Sequence, residues 1–125
     1  MKILIIDDSL LDRKLLMNVL KKAGFNHEIL QAANGEDGVK LMYEHMDEIG
    51  LIFLDWQMPN MDGIEVLLLT RTIPGIRDIP VIMVTASGSE ANKKVAWDAN
   101  PDLAGYVVKP FTAATLIRTV EPYLK

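Results

Sequence analysis

The 125 residues contain no cysteine, which excludes a disulfide scaffold, thiolate metal ligation and thiol chemistry. No apolar run approaches the roughly 18 residues needed to cross a bilayer, so membrane insertion is not expected. The opening Met1-Lys2-Ile3-Leu4-Ile5-Ile6 is interrupted at once by acids, unlike a secretory signal. Basic charge is scarce: 13 Lys and Arg face 17 Asp and Glu, a net charge of -4. That balance argues against nucleic acid as a direct partner, since phosphate backbones are bound by basic surfaces. There is no internal repeat, linker or low-complexity stretch. His27 and His45 have no carboxylate or cysteine at metal-ligand spacing, which speaks against a zinc site or a phosphohistidine. What is present is 50% hydrophobic and 24% charged residues, the composition of one folded domain of ordinary size. A soluble cytoplasmic protein is the expectation.

Five short runs read as buried strands: Lys2 to Ile6, Glu28 to Ala32, Gly50 to Leu54, Pro80 to Val84 and Gly105 to Val108. Ile3-Leu4-Ile5-Ile6, Leu51-Ile52-Phe53-Leu54 and Val81-Ile82-Met83-Val84 are continuously apolar, the pattern of strands covered by helices on both faces. Helical spacing lies between them. Leu16, Val19, Leu20 and Ala23 repeat at i, i+3, i+4 and i+7, and Gly24 supplies a stop. Val39, Met42, Tyr43 and Met46 repeat the spacing, as do Ala113, Leu116, Ile117, Val120 and Leu124. Ser9 with Asp12, and Asp62 with Glu65, have the spacing of capping boxes. The fourth helix, from Ser89 to Asp98, is the least apolar. Alternating strands and helices predict an α/β fold with one parallel sheet and helices on both faces.

Four of the strands end in polar residues: Asp7 and Asp8, Asp55, Thr85, and Lys109. In a doubly wound sheet those ends share one edge, where such folds bind ligands. Three carboxylates brought together repel one another, and a hard divalent cation resolves the conflict. Carboxylates with retained waters suit octahedral Mg²⁺ better than zinc. Lys109 offers a point charge, Thr85 a hydroxyl donor, and an Asp carboxylate is a competent phosphoryl acceptor. Singly, each residue has a plain structural reading: acids decorate helix starts, threonines cap helices, and lysines are usually solvated. Together, at four strand ends, they outweigh it. Trp97 and the methionines read as packing residues, and Lys93 and Lys94 as a solvated helix face.

Asp7-Asp8, the run Asp55-Trp56-Gln57-Met58-Pro59-Asn60-Met61-Asp62-Gly63, Thr85-Ala86, and Tyr106-Val107-Val108-Lys109-Pro110-Phe111 resemble the receiver domains of two-component response regulators. The resemblance runs from Lys2 to the C-terminus and is nearest to the single-domain chemotaxis type. It implies a flavodoxin-like five-stranded sheet in the order 2-1-3-4-5, spanning 1–125 as one receiver domain without an output domain. It implies that Asp55 accepts a phosphoryl group. Asp8, Asp55 and the backbone carbonyl of Gln57 would bind Mg²⁺, or Mn²⁺, with Asp7 acting largely through water. Lys109, Thr85 and Ala86 would bind the phosphoryl group, and Thr85 and Tyr106 would form the switch. The Lys109–Pro110 bond would be cis. The partners implied are a histidine kinase or phosphotransferase domain and a downstream protein target. The chain would be a monomer, with dimerisation on activation left open. It would be a signalling protein rather than a metabolic enzyme, catalysing only its own phosphorylation and dephosphorylation.

Two departures from the family pattern stand out. Ala99 to Ala104 makes a long connection before the fifth strand, and Ser87 lacks the acid or amide common two positions beyond the threonine. Two other classes fit less well. A haloacid-dehalogenase-type phosphatase wants Asp-x-Asp and a cap insertion. A flavodoxin-like electron carrier wants a hydroxyl- and glycine-rich loop where this chain has two acids.

Overall fold

A computed structural model describes residues 1–124. Five strands and five helices alternate along the chain: β1 Lys2–Ile6, α1 Leu10–Lys22, β2 Glu28–Ala32, α2 Gly35–Glu44, β3 Ile49–Leu54, α3 Gly63–Thr70, β4 Val81–Thr85, α4 Glu90–Ala99, β5 Gly105–Val108 and α5 Ala113–Val120. A short 3₁₀ turn, Glu121–Tyr123, follows α5. The strands form one parallel sheet in the order β2-β1-β3-β4-β5, as the resemblance implied.

The continuous apolar runs divide by pleat. Ile3, Ile5, Leu51, Phe53, Ile82, Val84 and Val107 pack on Leu16 and Leu20 of α1 and Leu116 and Val120 of α5. Leu4, Ile6, Ile52, Leu54, Val81 and Met83 face the other way, onto α2, α3 and α4. Successive strand side chains point to opposite faces, so a strand with helices on both sides must be apolar throughout. Burying each such Leu, Ile or Phe contributes roughly 1.5–3 kcal/mol.

Several boundaries differ from the sequence reading. The fourth strand begins at Val81, not Pro80, because proline has no N–H for the ladder; its carbonyl still accepts from Ile52 N at 2.9 Å. At its other end the strand runs on to Thr85, which pairs with Val108 and whose carbonyl accepts from Lys109 N at 2.8 Å. The third strand starts at Ile49, whose N–H is held by the His45 carbonyl. Ser89 caps α4 instead of opening it. Tyr43 and Ala23 lie on exposed surfaces despite their helical spacing, while Ile73, Ile76 and Ile79, beyond α3, are buried. α4 buries only Ala96 and Ala99, in keeping with its weak apolar pattern.

The two capping boxes also part company. Asp62 and Glu65 exchange both bonds at the start of α3. At α1 the Ser9 side chain accepts from Asp12 N at 3.2 Å, but the Asp12 carboxylate does not return the bond. It points elsewhere.

Candidate functional site

The C-terminal ends of β1, β3, β4 and β5 meet at one edge of the sheet, at the reversal of strand order where α/β folds bind ligands. Asp7 and Asp55 stand in buried positions at the ends of two adjacent central strands, only 5% and 7% exposed. Asp8 is exposed. Carboxylate oxygens of Asp7, Asp8 and Asp55 lie within 4.8 Å of one another, and this is the single such group among the described residues. At that spacing two unit charges repel by about 3–4 kcal/mol at an effective dielectric of 20.

Lys109 supplies the counter-charge. Its Nζ lies 2.7 Å from Asp7 Oδ2, 2.9 Å from Asp12 Oδ2 and 3.2 Å from Asp55 Oδ2. Burial pulls the Lys109 pKa down, but hydrogen bonds to Asp7 and Asp12 and the charge on Asp55 outweigh it, so the group lies above its ordinary value. Asp7 shifts up as well. Its burial outweighs the bonds from Lys109 and from Ser9 N, and the Asp55 charge adds to the rise.

The chain around Asp55 is held by backbone. Asp55 N donates to Ile6 O at 2.9 Å, and Asp55 Oδ1 accepts from Trp56 N at 2.7 Å. Gly63 N donates to Trp56 O at 2.8 Å, which presses the start of α3 against this turn. A methyl group at Gly63 would run into the Asp55 carbonyl oxygen and stand 2.9 Å from the Trp56 Cα. Glycine is therefore required by close approach. Asn60, in the same loop, has a φ of 68°, a left-handed conformation that asparagine tolerates.

The other residues singled out in the sequence are placed as follows. Gln57 lines an open concavity with Asp8, Trp56, Met58 and Asp62. Thr85 is 1% exposed, and its Oγ1 accepts from Ser87 N at 3.3 Å rather than reaching Asp55. Ala86 borders the cavity on the Lys109 side, with Asp7, Asp12, Leu15 and Phe111. The Lys109–Pro110 peptide is cis. The Tyr106 hydroxyl donates to the Ser87 carbonyl, and its ring stacks on Trp97 with centroids 6.0 Å apart. Burial first, and the Asp55 charge second, raise the Tyr106 pKa.

Two residues near the cluster escaped the sequence reading, and a third, Ser87, was noted there only as a departure from the family pattern. Asp12 was taken for a helix-start residue. Arg13 clamps the β1–α1 turn, its Nη1 donating to Asp7 O at 2.6 Å and its Nε to Gln31 Oε1 at 3.0 Å. Ser87 links Thr85 to Tyr106 through its backbone, which no side-chain pattern reveals. His45, read as lacking carboxylate or cysteine neighbours at metal-ligand spacing, meets one carboxylate, Glu48, at 2.7 Å, and belongs to no metal-ligand group among the described residues. That contact lies just before β3, beside Lys2, whose Nζ meets the same Glu48 at 3.0 Å.

The model for the response regulator receiver domain matches residues 3–121. The chain belongs to the response-regulator receiver family. A chemotaxis protein CheY homolog of Campylobacter jejuni is 34% identical over 124 residues, covering 99% of this chain and 92% of that protein. Among solved structures, the chemotaxis protein CheY4 of Vibrio cholerae has a TM-score of 0.84 at 28% identity, with 98% of each chain covered. The Mn²⁺-bound form of the response regulator Rcp1 has a TM-score of 0.78 at 27% identity, covering 97% of this chain and 89% of that one. This receiver domain is thus of the chemotaxis-like type. Its acid cluster is compatible with a divalent cation: the donors are hard carboxylate oxygens, with no histidine or cysteine among them. None of its described helices is long and apolar enough to cross a membrane.

Proposed function

We propose that this receiver domain is a phosphorylation-dependent signalling switch that takes a phosphoryl group on Asp55 from a histidine kinase or phosphotransferase domain. One observation carries the reading: Asp55, buried at the end of β3, has one oxygen on the Trp56 N–H and the other facing the Lys109 ammonium. A bond forms between an Asp55 carboxylate oxygen and phosphorus as the donor's bond to phosphorus breaks. Phosphoryl transfer then depends mostly on positioning and on neutralising charge at the equatorial oxygens. Lys109 turns its charge to one of them, and Thr85 with the backbone at Ala86 takes another. A divalent cation, Mg²⁺ by the hardness of its donors, would be held by Asp8, Asp55 and the Gln57 carbonyl, with Asp7 through water, and would offset the negative charge of the acids and phosphoryl group.

The response follows from the same residues. The acyl phosphate adds nearly two charges beside Lys109. Drawing the Thr85 hydroxyl toward it competes with the bond from Ser87 N, and Ser87 also receives the Tyr106 hydroxyl. Thr85, Ser87 and Tyr106 thereby form a linked set between Asp55 and the surface of α4 and β5, where a downstream protein would bind. Moving such an equilibrium from 1:99 to 99:1 takes about 5.5 kcal/mol of preference. The catalysis is confined to the chain's own phosphorylation and dephosphorylation, in the cytoplasm. Incubation with Mg²⁺ and acetyl phosphate, followed by intact mass measurement, tests the assignment. A gain of one phosphoryl group that vanishes in Asp55→Asn is the expected result; equal labelling of the variant refutes it.

A further inference from the structure

Asp12 is one carboxylate more than the chemistry above uses. It occupies the first turn of α1, where an acid is ordinarily a favourable charge at a helix start. Its side chain has a more particular contact. Oδ2 lies 2.9 Å from the Nζ of Lys109, 97 residues away in the chain. With Asp7 at 2.7 Å and Asp55 at 3.2 Å, it completes three carboxylate contacts around the lysine. An ammonium has three N–H donors, so none is left for a phosphoryl oxygen until one of these bonds is given up.

The contacts are unequal. Asp7 and Asp12 hold the nitrogen at ordinary charge-assisted distances, whereas Asp55 is the farthest of the three. Asp55 is also the group whose oxygens the incoming phosphoryl group engages. The bond most readily exchanged is therefore the one the reaction itself displaces. We propose that Asp12 is a positioning residue for Lys109: together with Asp7 it keeps the ammonium fixed at the cleft while the third donor passes from Asp55 to the phosphoryl oxygen. The inference rests on Asp55 being the phosphoryl acceptor. A lysine held by Asp7 alone would retain the freedom of its flexible four-carbon stem about a single contact. Asp12 suits this task because it lies at the rim, its side chain 39% exposed, and borders a cavity with Leu15, Leu16, Val84 and Phe111.

Time courses of labelling by acetyl phosphate with Mg²⁺, read by intact mass, test this in the full chain. Asp12→Ala is expected to slow labelling up to about fivefold, the equivalent of about 1 kcal/mol for a rim-exposed pair. Asp12→Asn keeps a carbonyl acceptor and slows it less. In a Lys109→Met background, Asp12→Ala should add nothing, because its partner is gone. The ¹⁵N–¹H signal of the Lys109 ammonium in the unphosphorylated protein gives a separate readout, since three hydrogen bonds slow its exchange with water; Asp12→Ala should broaden or remove it. Undiminished labelling of Asp12→Ala, an equal slowing in the Lys109→Met background, or an unchanged lysine signal would each overturn the proposal. A wild-type chain that takes no phosphoryl group on Asp55 sinks the parent reading instead. The lysine signal then still reports whether Asp12 fixes Lys109.

Discussion

Replacing Lys109 with methionine removes the ammonium that contacts the acid cluster while keeping the length of the apolar stem. Of its three ion pairs, those with Asp7 and Asp55 join side chains no more than 16% exposed, whereas the Asp12 side chain is 39% exposed. Breaking a buried pair from one side costs about 3–5 kcal/mol, and the exposed pair adds at most about 1. A second bound comes from the protons. The variant can escape part of the penalty by protonating a buried carboxyl, and Asp7 is the candidate because its pKa is already raised. Placing a proton at pH 7 on a carboxyl with the ordinary unfolded-state pKa of about 4 costs about 1.4 kcal/mol per pH unit, or about 4 in all. The two bounds agree. A loss of about 3–5 kcal/mol is expected at pH 7 in a chelator, measured by urea unfolding.

The pH dependence supplies the sharper part of that test. A carboxyl with a raised folded pKa leaves the native state holding more protons than the unfolded chain. The variant's stability then falls as pH rises through the window between the two values. Its deficit against wild type should therefore shrink by up to about 1.4 kcal/mol per unit between pH 7 and pH 5. Added Mg²⁺ should recover part of the loss, and more in the variant than in wild type, because the cation no longer competes with the lysine. A deficit below about 1 kcal/mol at pH 7, or one equal at pH 5 and pH 7, would show that Lys109 does not balance the buried acids.

Three other outcomes are expected. Trp56 shares the concavity of Asp8 and Gln57, so its fluorescence should change on titration with Mg²⁺, and Asp8→Ala should abolish the change. A response that survives in Asp8→Ala would remove Asp8 from the cation site. Because the Asp7 pKa is raised above 3.8 and only its ionised form attracts a cation, Mg²⁺ affinity should fall as pH drops through the raised value; calorimetry on Asp7→Asn should find a flatter profile. Gly63→Ala forces the Asp55–Trp56 backbone to move and should cost about 1–3 kcal/mol, while slowing labelling at Asp55. A thermal melt that matches wild type would show that the turn gives way freely.

Legibility in the sequence tracks how local the cause is. The continuous apolar runs of β1, β3 and β4 announced strands buried on two faces, and Ile3 to Ile6 are indeed at most 1% exposed. Polar residues stopping those runs marked the site edge, because a charge cannot follow a fully buried strand inward without a partner. Local rules failed at Pro80, where a missing N–H moved the strand boundary, and at Tyr43, where helical spacing did not imply burial. Ile73, Ile76 and Ile79 recur every third residue, but Pro74, Gly75 and Pro80 keep the stretch from reading as a helix, and the segment that buries them is a series of turns after α3.

Asp12 and Arg13 show the other limit. In sequence, Asp12 is a respectable third residue of a capping box, and Arg13 a surface side chain of an amphipathic helix. Their partners, Lys109 at the end of β5 and the Asp7 carbonyl with Gln31, exist only once distant strands are laid side by side. The order of apolar and polar residues by itself determined that this chain folds as alternating strands and helices, and that Asp7, Asp8, Asp55, Thr85 and Lys109 stand at strand ends. Each of those facts depends on neighbours a few positions apart. Which acids share Lys109, which oxygen of Asp55 faces it, and how Ser87 joins Thr85 to Tyr106 were decided by the tertiary structure alone. Electrostatic and hydrogen-bond partners are set by distance in space: strand ends put residues 7, 55 and 109 on one edge, but no local stretch of chain marks that residue 12 joins them or which bonds they make.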